Sequence, residues 1–274
     1  MMQQLTPSAE PRIERMTITP EMAAHWLENN NTNNRTVSEA LVRKFARDMQ
    51  NGHWDCTHQG IAFDTNNVLL DGQHRLWAIV YAEVPVDMFV GFGFSRDMLP
   101  KVDAGKKRSV ADSLRLGGKH GRVTRAEVGV LNVLLGGIAG PASLTPSEAS
   151  EAMFPHHDAI QFAIKALPTV KHAPGVGTAV TRGVVARAYY SQDHQQLHDF
   201  CEMLVTGVVP GVRYRGVVLL RQYLQTSSSK SGATYKDRYG KTQRILLAAL
   251  KGEVITRLYA STQEYFLLPE EAKP

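Results

Sequence analysis

NVLLDGQHRLWAIV, residues 67–80, joins two apolar runs of different period across one glycine. VLLD is short and rich in branched residues, as a strand is, whereas the run from Leu76 places Leu76, Ile79, Val80 and Val84 on one side of a helix. Between them stand Asp71, Gly72, Gln73, His74 and Arg75. A strand that runs directly into a helix leaves the first helical N–H groups without partners, and such an end attracts anions. Gly72 lets a phosphate approach the backbone, His74 and Arg75 can donate to its oxygens, and Gln73 offers both a donor and an acceptor. A plainer alternative has Asp71 capping the helix and Arg75 paired with a carboxylate such as Asp48 or Asp64.

Upstream, PEMAAHWLEN after Thr19 and EALVRKFARDMQ after Ser38 carry helical apolar spacing, and Asn51-Gly52 stops the second. GIAFD and VLLD around the turn TNN predict a hairpin, and VPVDMFVGF downstream predicts a further strand. From Thr124 onward helix-length patterns dominate, near 124–138, 146–154, 156–166, 178–190, 197–205, 215–225 and 237–250, with TSSSKSGATYKD as a loop. The expected architecture is α+β: a tail over 1–16, a small mixed sheet with helices over 17–122, and an all-helical region over 123–274.

The net charge of +5 is unevenly placed: between positions 96 and 125, nine Lys/Arg stand against three Asp, a local excess of +6. A basic patch suits phosphates. Within it Lys106, Lys107 and Arg108 follow Gly105, and Ser109 can cap a helix, which makes a second anion-binding candidate for nucleotide or nucleic acid. No run approaches the roughly eighteen apolar residues of a membrane span, and MMQQLTPSAEPRIERM lacks a signal-peptide core, so no membrane partner and a cytoplasmic location are expected. Cys56 and Cys201 form no ligand-spaced pair.

The chain resembles the N-terminal domain shared by ParB partition proteins and sulfiredoxins, especially phage and plasmid relatives with a DGQHR signature. The resemblance rests on Asn33-Asn34-Arg35, the helix SEALVRKFARDMQNGHW, GIAFD and LLDGQHRLWAI, over roughly residues 30–95. It implies that Gly72, His74 and Arg75 hold the phosphates of a nucleotide, CTP or ATP/ADP, with or without Mg2+, and that Arg35 approaches from the first box, Asn33-Asn34-Arg35. DNA binding and a homodimer are further expectations of the likeness. Sulfiredoxin-like enzymes carry a reactive cysteine where this chain has Gln73, so that redox chemistry is not expected. The third ParB box, which supplies a carboxylate for magnesium and contacts between subunits, has no counterpart; KVDAGKKRSVADSL stands in its place.

Other motifs are weaker. His53, Cys56 and His58 lack zinc spacing. His156 and His157 suggest ordinary exposed residues at a helix start, and Tyr189 and Tyr190 suggest packing. No GxSxG, HExxH or Walker-type string occurs. A nuclease or phosphoryl-transfer enzyme using Asp71 or His74 as acid or base is the enzymatic alternative, and a ligand-less interaction protein is a third. TPSEASEAMFPHHDAIQFAI has loosely helix-turn-helix spacing, with Arg182, Arg187, Arg213, Arg215 and Arg221 as expected positive charge.

Overall fold

The structure, a computed structural model, describes residues 10–32, 34, 36–96, 110–111, 123–227 and 232–271, without the side chains of 232 and 233. The chain divides into two compact units, Met1–Arg108 and Ser109–Pro274. The division falls before the boundary expected near 122, because Val110 and Ala111 pack into the helical core of the second unit.

The first unit is mixed α+β. Its elements are β1 (Arg12–Ile18), α1 (Pro20–Asn29), α2 (Glu39–Gln50), β2 (Ile61–Asp64), β3 (Leu69–Asp71), α3 (Gln73–Ala82) and β4 (Val86–Phe94). The sheet order is β1-β4-β2-β3. β4 is antiparallel to β1 and parallel to β2, while β2 and β3 form the expected antiparallel hairpin. Asp64 builds that hairpin turn: its Oδ1 accepts the N–H groups of Asn66 and Val68, both at 2.8 Å, and Asn67 takes a left-handed φ of 60°. The core lies on one sheet face, where Trp26 of α1 meets Phe63 edge-on at 5.3 Å and Phe63 stacks on Phe92 at 5.6 Å.

β1 corrects the expectation of a tail through residue 16. RIERMTI shows little apolar alternation, since Arg12 and Glu14 share a face with Met16 and Ile18. Its pairing with β4 supplies what its composition does not. Thr19 caps α1 by accepting the Met22 N–H at 3.3 Å, with Pro20 in the first helical position.

The second unit contains α4 (Arg125–Gly136), α5 (Pro146–Met153), α6 (His157–Ala166), α7 (Ala179–Ala188), α8 (His194–Thr206), α9 (Arg215–Thr226) and α10 (Gly232–Lys251). α10 begins within the stretch read as a loop. α7 is the central element, packed against α4, α6 and α10, and every residue from Thr181 to Ala188 is buried. Gly183 permits that closeness, because a Cβ there would sit 2.2 Å from Val133 Cγ1. Among the described residues, no helix is long and apolar enough to cross a membrane.

Candidate functional site

The turn between β3 and α3 is built by its backbone. Gly72 is the N-cap of α3, with φ 103° in the left-handed region, and a Cβ there would lie 2.9 Å from Ile61 Cγ1 and 3.1 Å from Ile61 Cα. Glycine is therefore needed for conformation and for packing on β2, before any ligand is considered. The Gly72 carbonyl accepts the N–H groups of Arg75 and Leu76 and so starts the helix.

Asp71 ends β3 opposite Ala62. Its Oδ1 accepts the Gly72 N–H at 2.7 Å and its Oδ2 lies 3.6 Å from Arg75 Nη1. The carboxylate thus holds the guanidinium beside the turn, and Arg75 has the carboxylate partner of the plainer alternative, in Asp71. Asp64 instead binds Arg96 at 2.8 Å, and these bonds, together with those from Val68 and Asn66, outweigh its burial and hold its carboxyl below the usual range.

Gln73 and His74 are buried at the first turn of α3. His74 Nε2 accepts the backbone N–H of Ser38 at 3.0 Å, which makes it the acceptor nitrogen of the neutral ring. Ser38 stands at the N-cap of α2, where the sequence predicts a cap, but its side chain makes no capping bond; its backbone makes the bond to His74. Ser38 is thereby tied to the start of α3. Asn34 strengthens the junction by donating from Nδ2 to the Leu69 carbonyl at 2.9 Å and to Asn31 Oδ1 at 2.6 Å. Asn30 joins the same edge, with its Nδ2 on the Asn67 carbonyl and its own carbonyl accepting the Leu69 N–H, both at 2.8 Å.

Asn33, Arg35, Lys106, Lys107, Arg108 and Ser109 lie outside the described residues. Asp71, Gly72, Gln73, His74 and Arg75 are described and contiguous. Asp71 and His74, the acid/base candidates of the enzymatic alternative, each already serve a backbone N–H of this chain.

Of the five arginines expected to give the second unit its positive charge, Arg213 and Arg215 are exposed and the other three are not. Arg182 and Arg187 are buried, and Arg221 is half-buried. Arg182 donates to the Leu167 carbonyl at 2.9 Å and to Thr169 Oγ1 at 3.1 Å, and burial pulls its guanidinium below its ordinary pKa. Arg187 donates to the carbonyls of Leu134 and Phe266, at 2.6 and 2.8 Å, and to the Glu271 carboxylate. Arg221 donates to the carbonyls of Leu204 and His172, at 3.1 and 3.0 Å. These guanidiniums finish helix ends and tie distant segments together, which corrects their expected role as a binding surface. His156 is also corrected: it is buried, and its Nδ1 lies 2.6 Å from Tyr190 Oη.

The sequence reading missed two surface features. His198, Asp199 and Glu202 on α8 are exposed, with ligand atoms all within 4.8 Å of one another, and are the group found among the described residues that could hold a metal ion. Their i, i+1, i+4 spacing was the available signal. Trp77 and Tyr81 stand exposed one turn apart on α3, beside a groove reaching to α2; their i, i+4 spacing off the apolar stripe was the corresponding signal. Comparison of the chain with protein-family models, curated proteins and solved structures finds no match.

Proposed function

We propose that the chain is a ParB-like binding protein that takes a phosphate-bearing ligand, a nucleotide or DNA, at residues 72–75. The observation that carries this reading is the bonding of Ser38 and Asn34 to the β3–α3 region. Ser38 N–H meets His74 Nε2, and Asn34 meets the Leu69 carbonyl. Asn34 of the first box and Ser38 after it are therefore tied to β3 and to the start of α3, next to the second box in the sequence.

Physical chemistry supports the same ligand class. The N-terminal end of a helix favours negative charge, and Arg75 stands one turn into it with a planar donor fork. A phosphate oxygen in place of the 3.6 Å Asp71 contact would give Arg75 a shorter, charge-assisted bond. The basic segment between 96 and 125 would add long-range attraction that salt weakens. CTP, ATP and ADP, each with and without Mg2+, are the nucleotides to try first.

Calorimetric titration of the full chain with CTP, ATP, ADP and a short DNA duplex, beside an Arg75→Ala variant, tests the reading. We expect binding by at least one of these, weakened roughly tenfold or more in the variant, as loss of a charge-assisted hydrogen bond implies. Binding indifferent to Arg75, or none to any of the four, would defeat it.

A further inference from the structure

We propose that the groove beside Trp77 and Tyr81 holds the base of the nucleotide, an inference that rests on the reading of the 72–75 turn as a phosphate site. Trp77 and Tyr81 are 41% and 55% exposed on a helix whose other face is deeply buried. They flank a cavity of about 550 Å³, within the range of roughly 300–1,000 Å³ usual for small-molecule sites.

The groove is lined by Val37, Val42 and Val80, and its charged rim consists of Glu39 and Arg43. Those two lie 3.7 Å apart, and the Arg43 guanidinium stands 5.9 Å from the centre of the Tyr81 ring. The rim is therefore neutral as a pair. It offers little to an acidic or a basic peptide, but it suits a flat, uncharged ring that stacks on an aromatic face and carries polar groups at its edge. A base amino group could donate to the Glu39 carboxylate or the Thr36 hydroxyl.

Continuity with the turn selects a nucleotide over an unrelated aromatic compound. Gln73, Trp77 and Tyr81 follow one another at intervals of four on α3; Gln73 is buried, and Trp77 and Tyr81 are the exposed members that line the groove. Along the helix axis Trp77 lies about 7.5 Å beyond Gly72, five residues at the usual helical rise. Thr36 and Val37, which wall the groove, precede the Ser38 whose backbone is held by His74. A ligand with its charge at the partly exposed Arg75 and its ring on Trp77 would span two residues of α3.

The test titrates the full chain with CTP, ATP and inorganic tripolyphosphate, by calorimetry and by tryptophan fluorescence. Trp26 is buried and Trp54 packs edge-on against Phe45, so quenching by a stacked base should come from Trp77. We expect CTP or ATP to bind roughly tenfold to a hundredfold more tightly than tripolyphosphate, as base–aromatic stacking implies. Trp77→Ala should erase that difference and spare tripolyphosphate binding, Trp77→Phe should keep most of it, and Arg75→Ala should weaken all three ligands. Equal affinity for nucleotides and tripolyphosphate, unmoved by Trp77→Ala, overturns the groove and leaves the turn standing. No binding by any of the three also overturns the groove, and the turn then stands or falls on ADP and duplex DNA. Sedimentation in which Trp77→Ala dissolves a dimer would show the occupant to be a second copy of the chain, and would also overturn the proposal.

Discussion

Arg75 in the first unit and Arg187 in the second carry the same side chain into opposite circumstances. Arg187 is 1% exposed in its side chain and gives its donors to two backbone carbonyls and a carboxylate, with Glu264 also near at 3.8 Å. Arg75 is 15% exposed and faces Asp71, itself 45% exposed, across 3.6 Å. A guanidinium whose partners are fixed and buried is committed to holding the fold, because removing it strands those partners in a low dielectric. One held loosely by an accessible carboxylate can exchange that contact for a ligand oxygen at little cost. The number and burial of an arginine's own-chain partners thus separate a structural arginine from a candidate binding one, where charge counting treats them alike.

That contrast breaks most readily at Arg187. Arg187→Ala would leave the Leu134 and Phe266 carbonyls and the Glu271 carboxylate without their donor, and a loss of about 3–5 kcal/mol is expected in urea unfolding. A loss below about 1 kcal/mol would mean that the buried network contributes specificity more than stability. The next effect should come from the turn itself. Gly72→Ala forces a side chain into a left-handed φ and against the Ile61 backbone, at a cost of about 1–3 kcal/mol. If stability is unchanged, the close packing of the turn on β2 is wrong.

A pH effect sharpens the comparison from the buried side. Burial lowers the His156 pKa, the Arg187 charge lowers it further, and Glu270 opposes both. With the folded value below the unfolded 6.5, the unfolded state binds more protons as pH falls, so stability is full above 6.5 and declines as pH drops through that window. Urea midpoints measured between about pH 7.5 and 5 should fall, and His156→Phe should flatten the slope. The smallest expected stability effect belongs to Arg75→Ala, about 0–1 kcal/mol, since its ion pair is long and its partner half-exposed. A loss of several kcal/mol there would make Arg75 structural and remove the contrast.

Several elements were legible because their signals are local. Thr19 with Pro20 marks the start of α1, Asn51-Gly52 ends α2, and TNN turns the hairpin from β2 to β3. Gly72 was readable as a glycine-requiring turn, but the sequence offered ligand approach as its reason, while the structure adds Ile61 beneath it. β1 was not legible, since Arg12 and Glu14 occupy the positions where a strand would ordinarily show apolar residues. Of the candidate site, five adjacent residues could be named in advance. Their internal bonds could not, and the assignment of His74 as acceptor for Ser38 depends on a residue 36 positions away.

By itself the sequence determined the type of most elements and the chemistry available at the turn, because periodicity, capping and glycine geometry act within a few residues. Tertiary structure alone decided that β4 pairs with both β1 and β2, that Ser38 bonds His74 at the start of α3, and which arginines are consumed inside the protein. Arg187 reaches Phe266 across 79 positions. No local pattern encodes such a partner, since the desolvation that makes the bond worth forming exists only once the surrounding helices have packed.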